Sequence, residues 1–267
     1  MAKITLITTQ KQAGRYNIYL DGTYAFPVAE SVLVKYQLAK GMELDKQLIQ
    51  QITTADDQAK AYNKALDYLA HQLRTQKEVY DHLLSYGISE IDCQAVIAKL
   101  SDLNLLDDQV YANSFVRTQA NTSDKGPVVI RQKLRQKGVG ENLIERALTE
   151  FPADWQLTNA TKLGQKLAKR YRSQSLKIQQ NKILTGIITK GFSSNIANQA
   201  LAQLDLQVDS DQQLANLTNQ ANKAWHRYRS YPNLKRRLKA KQALYRKGFD
   251  LGDIDQVLDQ LEATEAN

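Results

Sequence analysis

The sequence predicts a mainly α-helical protein of tandem, stacked three-helix repeats following a small N-terminal head that contains a β-hairpin. Three observations lead there. A cassette of apolar residue, glycine and apolar residue occurs four times, its glycines (Gly87, Gly138, Gly191, Gly248) spaced 51, 53 and 57 residues apart. The apolar residues after each glycine recur at helical spacing. Strand-like alternation occupies residues 3–28 at the start of the chain.

The head comes first, over residues 1–55. Ile4 and Leu6, then Tyr16, Ile18 and Leu20, then Tyr24, Phe26 and Val28 alternate as strands do. Asp21-Gly22 between the second and third runs signals a hairpin, because a type I′ turn needs positive φ. Residues 30–39 read as a helix ending at Gly41, and another short helix is expected after Asp45. A head of roughly fifty residues is too small to stand without docking on the helical repeats C-terminal to it.

Repeats are expected at 56–105, 106–152, 153–207 and 208–267. Their cassettes are Leu83, Gly87, Ile88, then Val96, Ile97 and Leu100; Leu134, Gly138, Val139, then Ala147 and Leu148; Ile187, Gly191, Phe192, then Ala200, Leu201 and Leu204; and Leu244, Gly248, Phe249, then Val257, Leu258 and Leu261. A glycine just past the last periodic residue is a helix C-cap, so each cassette reads as helix, tight turn, helix. A further helical stretch precedes each. The first repeat starts near Asp56-Asp57. Thr75 to Glu78 forms a capping box, and Ser89 caps the third helix. Asp107 or Asp108 caps the next helix, and Pro127 suits a first helical turn. The single cysteine, Cys93, occupies a core-like position and has no internal disulfide partner, which fits a reducing, cytoplasmic setting. No leader and no membrane-length apolar run is apparent.

Charge supplies the functional signal. Residues 155–204 hold eight Lys/Arg and no Asp/Glu, and residues 212–249 hold ten and none. These blocks contain 18 of the 36 basic residues, leaving 18 basic against 28 acidic elsewhere. Excluding acids over such lengths argues for a polyanion-binding surface rather than an evenly solvated one. On the helix expected from Asp154 to Arg172, Leu157, Ala160, Leu163, Leu167, Ala168 and Tyr171 share one arc, and Lys162, Lys166, Lys169, Arg170 and Arg172 the other. The triplet Arg170-Tyr171-Arg172 recurs as Arg227-Tyr228-Arg229, with Arg117 at the matching place in the second repeat. The second repeat adds Arg131, Lys133, Arg135 and Lys137, and the fourth Lys235, Arg236, Arg237, Lys239 and Lys241. Tyr171 and Tyr228 could stack on bases, but their apolar arc favours core packing. The acidic end from Asp250 to Glu265 either balances these cations or damps non-specific binding.

No phosphate-binding glycine loop, dinucleotide fingerprint, nucleophile–base pair or metal-ligand spacing appears. His71, His82 and His226 are scattered. A non-enzymatic binding protein without cofactor or metal is expected.

With these residues in view, the chain resembles the RecX family, regulators of the RecA recombinase. LLDDQVYANSFVR (105–117) and GPVVIRQKLRQKGV (126–139) look like that family's central signature: an Asp, an aromatic-Ala pair, a Gly-Pro turn, and a basic helix ending Lys-Gly-Val. Ala65-Leu66 and Glu78 before Leu83 are similar too. RYNIYLDGTYAFPV followed by KGMELD looks like the extension of longer, Gram-positive-type members. His82 departs from the basic residue common there, and the third and fourth repeats match mainly at glycine hinges and basic stripes. The resemblance implies that the stacked repeats form an elongated curved array that binds the RecA–single-stranded DNA filament; a monomer is expected, with duplex DNA as a further ligand. It implies inhibition of strand exchange, ATP hydrolysis and coprotease activity, by limiting filament growth or promoting disassembly. DNA recombination, DNA repair and the SOS response would be affected. A stand-alone helical nucleic-acid-binding module and a protein-binding helical scaffold are the rival readings.

Overall fold

The computed structural model describes residues 1–206 and 210–266, and among these it has four strands and thirteen helices. Contacts divide the chain into two compact units, Met1–Ala112 with Leu134–Ile144, and Asn113–Lys133 with Glu145–Asn267.

In the first unit, β1 (Ala2–Thr9), β2 (Arg15–Leu20), β3 (Thr23–Ala29) and β4 (Glu43–Leu44) form an antiparallel sheet in the order β3-β2-β1-β4. The expected hairpin is present: Leu20 faces Thr23, with Asp21 at φ 49° and Gly22 at φ 86°. Ile4, Ile18, Leu20 and Val28 point into the head's core. The short β4 is an addition to the three expected runs. Helix α1 (Glu30–Lys35) is shorter than the expected 30–39.

The short helix expected after Asp45 is instead α2 (Lys46–Ala70), which runs unbroken through residues 55 and 56. One end carries Ile52 into the head's core, and the other carries Ala61 and Ala65 into the next core. Asp56 therefore starts nothing. Its buried carboxylate accepts from both Nη atoms of Arg15 at 2.8 and 3.1 Å and from the Ala29 N–H at 2.7 Å, with Lys60 at 3.0 Å. A charge this deep persists only because every oxygen is satisfied, and the arrangement ties the hairpin to α2.

Helices α3 (Gln76–Ser85) and α4 (Glu90–Asp102) come after it, with the Thr75–Glu78 capping box and the Ser89 cap in place. Val79, Leu83, Cys93, Val96 and Leu100 pack with α2, and burial pushes the Cys93 thiol up. Helices α5 (Asp108–Thr122), α6 (Pro127–Gln136) and α7 (Glu141–Leu148) come next. Asp107 caps α5, accepting from the N–H groups of Gln109 and Val110. Asp108 is buried and accepts from the Gln76 N–H of α3; burial raises its carboxyl.

The second unit holds α8 (Ala153–Arg170), α9 (Leu176–Thr189), α10 (Ser194–Gln203), α11 (Ser210–Arg227), α12 (Asn233–Arg246) and α13 (Leu251–Ala266). Helix α8 stops two residues before the expected end, with Tyr171 as its C-cap. The expected repeat boundary at 207/208 lies outside the described residues.

The hinge glycines do more than turn the chain. The Thr75 hydroxyl donates to the Lys137 carbonyl (2.7 Å), the Gly126 N–H to that of Lys190 (2.7 Å), and the Ser175 hydroxyl to that of Lys247 (2.5 Å). Thus the start of α3 receives the end of α6, the start of α6 the end of α9, and the start of α9 the end of α12. A Cβ on Gly138 would lie 2.5 Å from Lys77 Cβ, and one on Gly191 2.7 Å from the Val129 nitrogen. Gly87, with no helix group before it, would meet nothing within 4 Å. The recurring Lys-Gly pair is both C-cap and joint.

Candidate nucleic-acid interface

Helix α8 builds the centre of the site. Ala160, Leu163 and Leu167 are buried, which turns Lys162, Lys166 and Lys169, spaced i, i+4 and i+7, outward. These lysines, the end of α5 and the Ser123-Asp124 turn line a cleft of about 390 Å³. Asn159 donates to the Ala120 carbonyl at 2.7 Å and fixes α8 against α5. Lys166 reaches Asp124 at 2.9 Å, an exposed pair worth less than about 1 kcal/mol. Lys162, Lys169, Arg170 and Arg172 are exposed and make no ion pair among the described residues.

A second group has formed where the sequence offered only Lys133. Lys125 and Lys190 join it, and the Lys125 amine is pushed down, first by burial and then by the Lys133 and Lys190 charges. Lys125 donates to Gln119 Oε1 at 2.7 Å. Cations crowded with no carboxylate paired to them among the described residues favour an anion between them. Lys190 carried one readable signal, its place before Gly191.

The α11–α12 turn forms a third group. Arg227 and Arg229 are exposed, and Arg229 lies 2.9 Å from His226 Nε2. Tyr228 packs against the core of α11–α13, edge-on to Tyr231 at 6.4 Å. Lys239 sits 4.8 Å over the Tyr231 ring and Lys235 5.4 Å. Tyr171 is half-buried, with Lys182 4.9 Å over its ring. Tyr228 thus leans on the core, and both expected tyrosines meet cations at their rings. Sequence reasoning passed over Tyr231.

Several predicted cations are engaged within the fold. Arg236 is buried: Nε donates to the Trp225 carbonyl (3.0 Å), the guanidinium lies 4.1 Å over the Trp225 ring, and both Nη atoms hold Glu265 at 2.7 and 3.0 Å. Arg237 meets Asp259 (2.6 Å) and Glu262 (2.7 Å), and Lys241 meets Asp255 (2.6 Å). The acidic end of the chain balances α12. On α6, Arg131 faces Glu145 at 3.6 Å and Arg135 holds Glu141 at 2.6 Å, and just past its end Lys137 holds Glu78 at 2.5 Å. Burial alone would raise Glu78, but the hydrogen bonds from Lys137 and the Thr75 N–H outweigh it and lower the carboxyl. Arg117 lies 3.9 Å from Glu150. Of the four cations expected to make a basic exterior here, Lys133 alone lacks a carboxylate partner among the described residues. No helix among those residues is long and apolar enough to cross a membrane.

Fold and site together define a class: a small β head followed along the chain by three-helix groups that carry cationic surface groups. Models of RecX domains match along the chain, the regulatory protein RecX N-terminal domain at residues 2–45, the first three-helix domain at 61–100, the second at 107–148 and the third at 211–258. Helices α8–α10 lie between the last two matched spans. Regulatory protein RecX of Levilactobacillus brevis is 54% identical over 261 residues, 98% of each chain. That of Limosilactobacillus reuteri is 49% identical, over 97% of this chain and 98% of the other. A crystal structure of regulatory protein RecX aligns with a TM-score of 0.69 and 50% identity, covering 74% of this chain and 98% of that one. The chain belongs to the RecX family of regulatory proteins.

Proposed function

We propose that this protein regulates the RecA recombinase as an inhibitor. It binds the RecA–single-stranded DNA filament and limits its growth or promotes its disassembly, so modulating recombination, repair and the SOS response. Family membership supports regulation. The observation that carries the nucleic-acid contact is the α8 cleft, where Lys162 and Lys169, beside Arg170 and Arg172, make no ion pair among the described residues. Polyanion binding by such groups releases counterions and is salt-dependent. On this reading the cytoplasmic protein acts as a monomer in four repeats, without a cofactor. The contact set is Lys133, Lys162, Lys166, Lys169, Arg170, Arg172, Arg227, Arg229, Lys235 and Lys239.

The test is fluorescence anisotropy of labelled single-stranded DNA at several salt concentrations, with and without recombinase and a slowly hydrolysed ATP analogue. Preferential binding to the filament is expected. In the triple variant Lys169→Ala, Arg170→Ala, Arg172→Ala, the slope of log K against log salt should fall by about 2, at roughly 0.7 per phosphate contact on a single strand. Equal binding to naked DNA and filament would favour the stand-alone nucleic-acid module. Salt-independent binding to recombinase alone would favour the protein scaffold.

A further inference from the structure

The geometry points to a second single-strand site, in the first three-helix group: the exposed Tyr86 ring, braced by His82 and Tyr68, takes an unpaired nucleobase, while Lys64 and Arg74 take the flanking phosphates. This inference rests on the nucleic-acid reading above and extends it to a surface far removed in sequence from the acid-free blocks.

Two helix faces make the site. Lys64 and Tyr68 stand four apart on α2, and His82 stands four before Tyr86, the C-cap of α3. Residues at that spacing share a face. The His82 ring lies flat on Tyr68, centroids 3.8 Å apart and planes within 10°. Tyr86 meets His82 edge-on at 5.1 Å. Arg74 closes over Tyr68 at 4.1 Å, and the Lys64 amine sits 3.7 Å over the Tyr86 ring. The His82 ring is pushed toward its neutral form, first by burial and then by Arg74 and Lys64. Neither Lys64 nor Arg74 makes an ion pair among the described residues, although Arg74 feels Glu78, whose partner is Lys137.

Packing alone does not account for Tyr86. Its side chain is 56% exposed, unlike the buried core residues Val79 and Leu83 on the same helix. Its place in the repeat is more telling. The residue before the hinge glycine is Lys137, Lys190 and Lys247 in the other three groups, and each carbonyl there is received by the preceding group. The first group has none before it, so the Gly87 turn is open, and here the chain carries an aromatic ring instead of a lysine. An exposed tyrosine ring beside two cations that make no ion pair among the described residues suits a stacked base beside its phosphate. A duplex hides its base faces, so the ligand is single-stranded.

The experiment uses the full chain and two labelled oligonucleotides of equal length, poly-dT and an abasic analogue. Tyr86→Ala should weaken poly-dT binding by about tenfold, within the range of one lost base stack, and leave abasic binding unchanged. Tyr86→Phe should retain the wild-type preference for bases, and Lys64→Ala with Arg74→Ala should weaken both ligands. Thermal melts check that each variant is folded. If Tyr86→Ala binds both oligonucleotides as the wild type does, the stacking site is wrong while the α8 cleft stands. If the wild-type chain binds neither, the nucleic-acid reading fails and takes this site with it.

Discussion

Helices α8 and α12 look alike in sequence, and α12 is the more basic, with six cations to four. The fold treats them in opposite ways. Helix α12 packs against α13, whose Asp255, Asp259, Glu262 and Glu265 hold Arg236, Arg237 and Lys241. Helix α8 packs against α9 and α10, which contain no acid at all. Two unit charges at 4 Å near a protein surface attract by about 4 kcal/mol before desolvation, so a phosphate gains little by competing for a cation already held in this way. A basic helix becomes a candidate interface when its packing partners lack acids. Its own charge count does not decide.

The largest effect expected from this contrast is on stability. Arg236→Ala removes two bonds to Glu265, one to the Trp225 carbonyl and the stack on the Trp225 ring. A loss of about 2–4 kcal/mol is expected in urea unfolding, because a charged hydrogen-bond network and buried packing go together. The salt slope of DNA binding should not move. A changed slope with intact stability would make Arg236 a ligand contact and erase the distinction between the helices.

A smaller effect comes from making α12 resemble α8. The pair Asp259→Asn and Glu262→Gln frees Arg237 from its two nearest carboxylates. Stability should change by less than about 1 kcal/mol, since both acids are at least a third exposed. Single-strand affinity at low salt should rise about two- to tenfold, the gain of roughly one phosphate contact. Unchanged affinity would mean that α12 is set apart by where it faces and not by its neutralised charge.

Much of the fold was legible in the sequence because its signals are local. Positive φ selects glycine at Gly87, Gly138, Gly191 and Gly248, and these four residues alone set the repeat frame. The Asp21-Gly22 turn and the Thr75 capping box are likewise decided within four residues. What escaped were pairings across long sequence separations. Asp56 reads as the start of the first repeat until Arg15, 41 residues away, is placed on it. Arg236 reads as one more surface cation until Glu265 returns to it across 29 residues. The cleft partner of Lys166, Asp124, is 42 residues distant. The α8 stripe could be read because both of its arcs lie in one helix. The stack around His82 joins α2 to α3, and no single-helix periodicity reveals it.

The smallest effect is the one most specific to the α12–α13 pairing. The Lys241 ammonium holds the Asp255 carboxyl below its ordinary 3.8, and the Arg236 guanidinium holds that of Glu265 below 4.5. A carboxyl depressed by folding binds fewer protons in the native state than in the unfolded one. Its contribution is therefore complete above the unfolded value and is lost as pH falls through the folded one. Both side chains are at least a third exposed, so the effect is small and is read from how the melting temperature changes with pH. The Tm of the wild type should decline more steeply between about pH 5 and pH 3 than that of the double variant Asp255→Asn, Glu265→Gln, with the two curves most separated near neutrality. Glu78 titrates equally in both proteins, so the difference isolates α13. Parallel curves would mean that the acidic helix shields α12 without stabilising it, and the contrast with α8 would then concern ligand access alone.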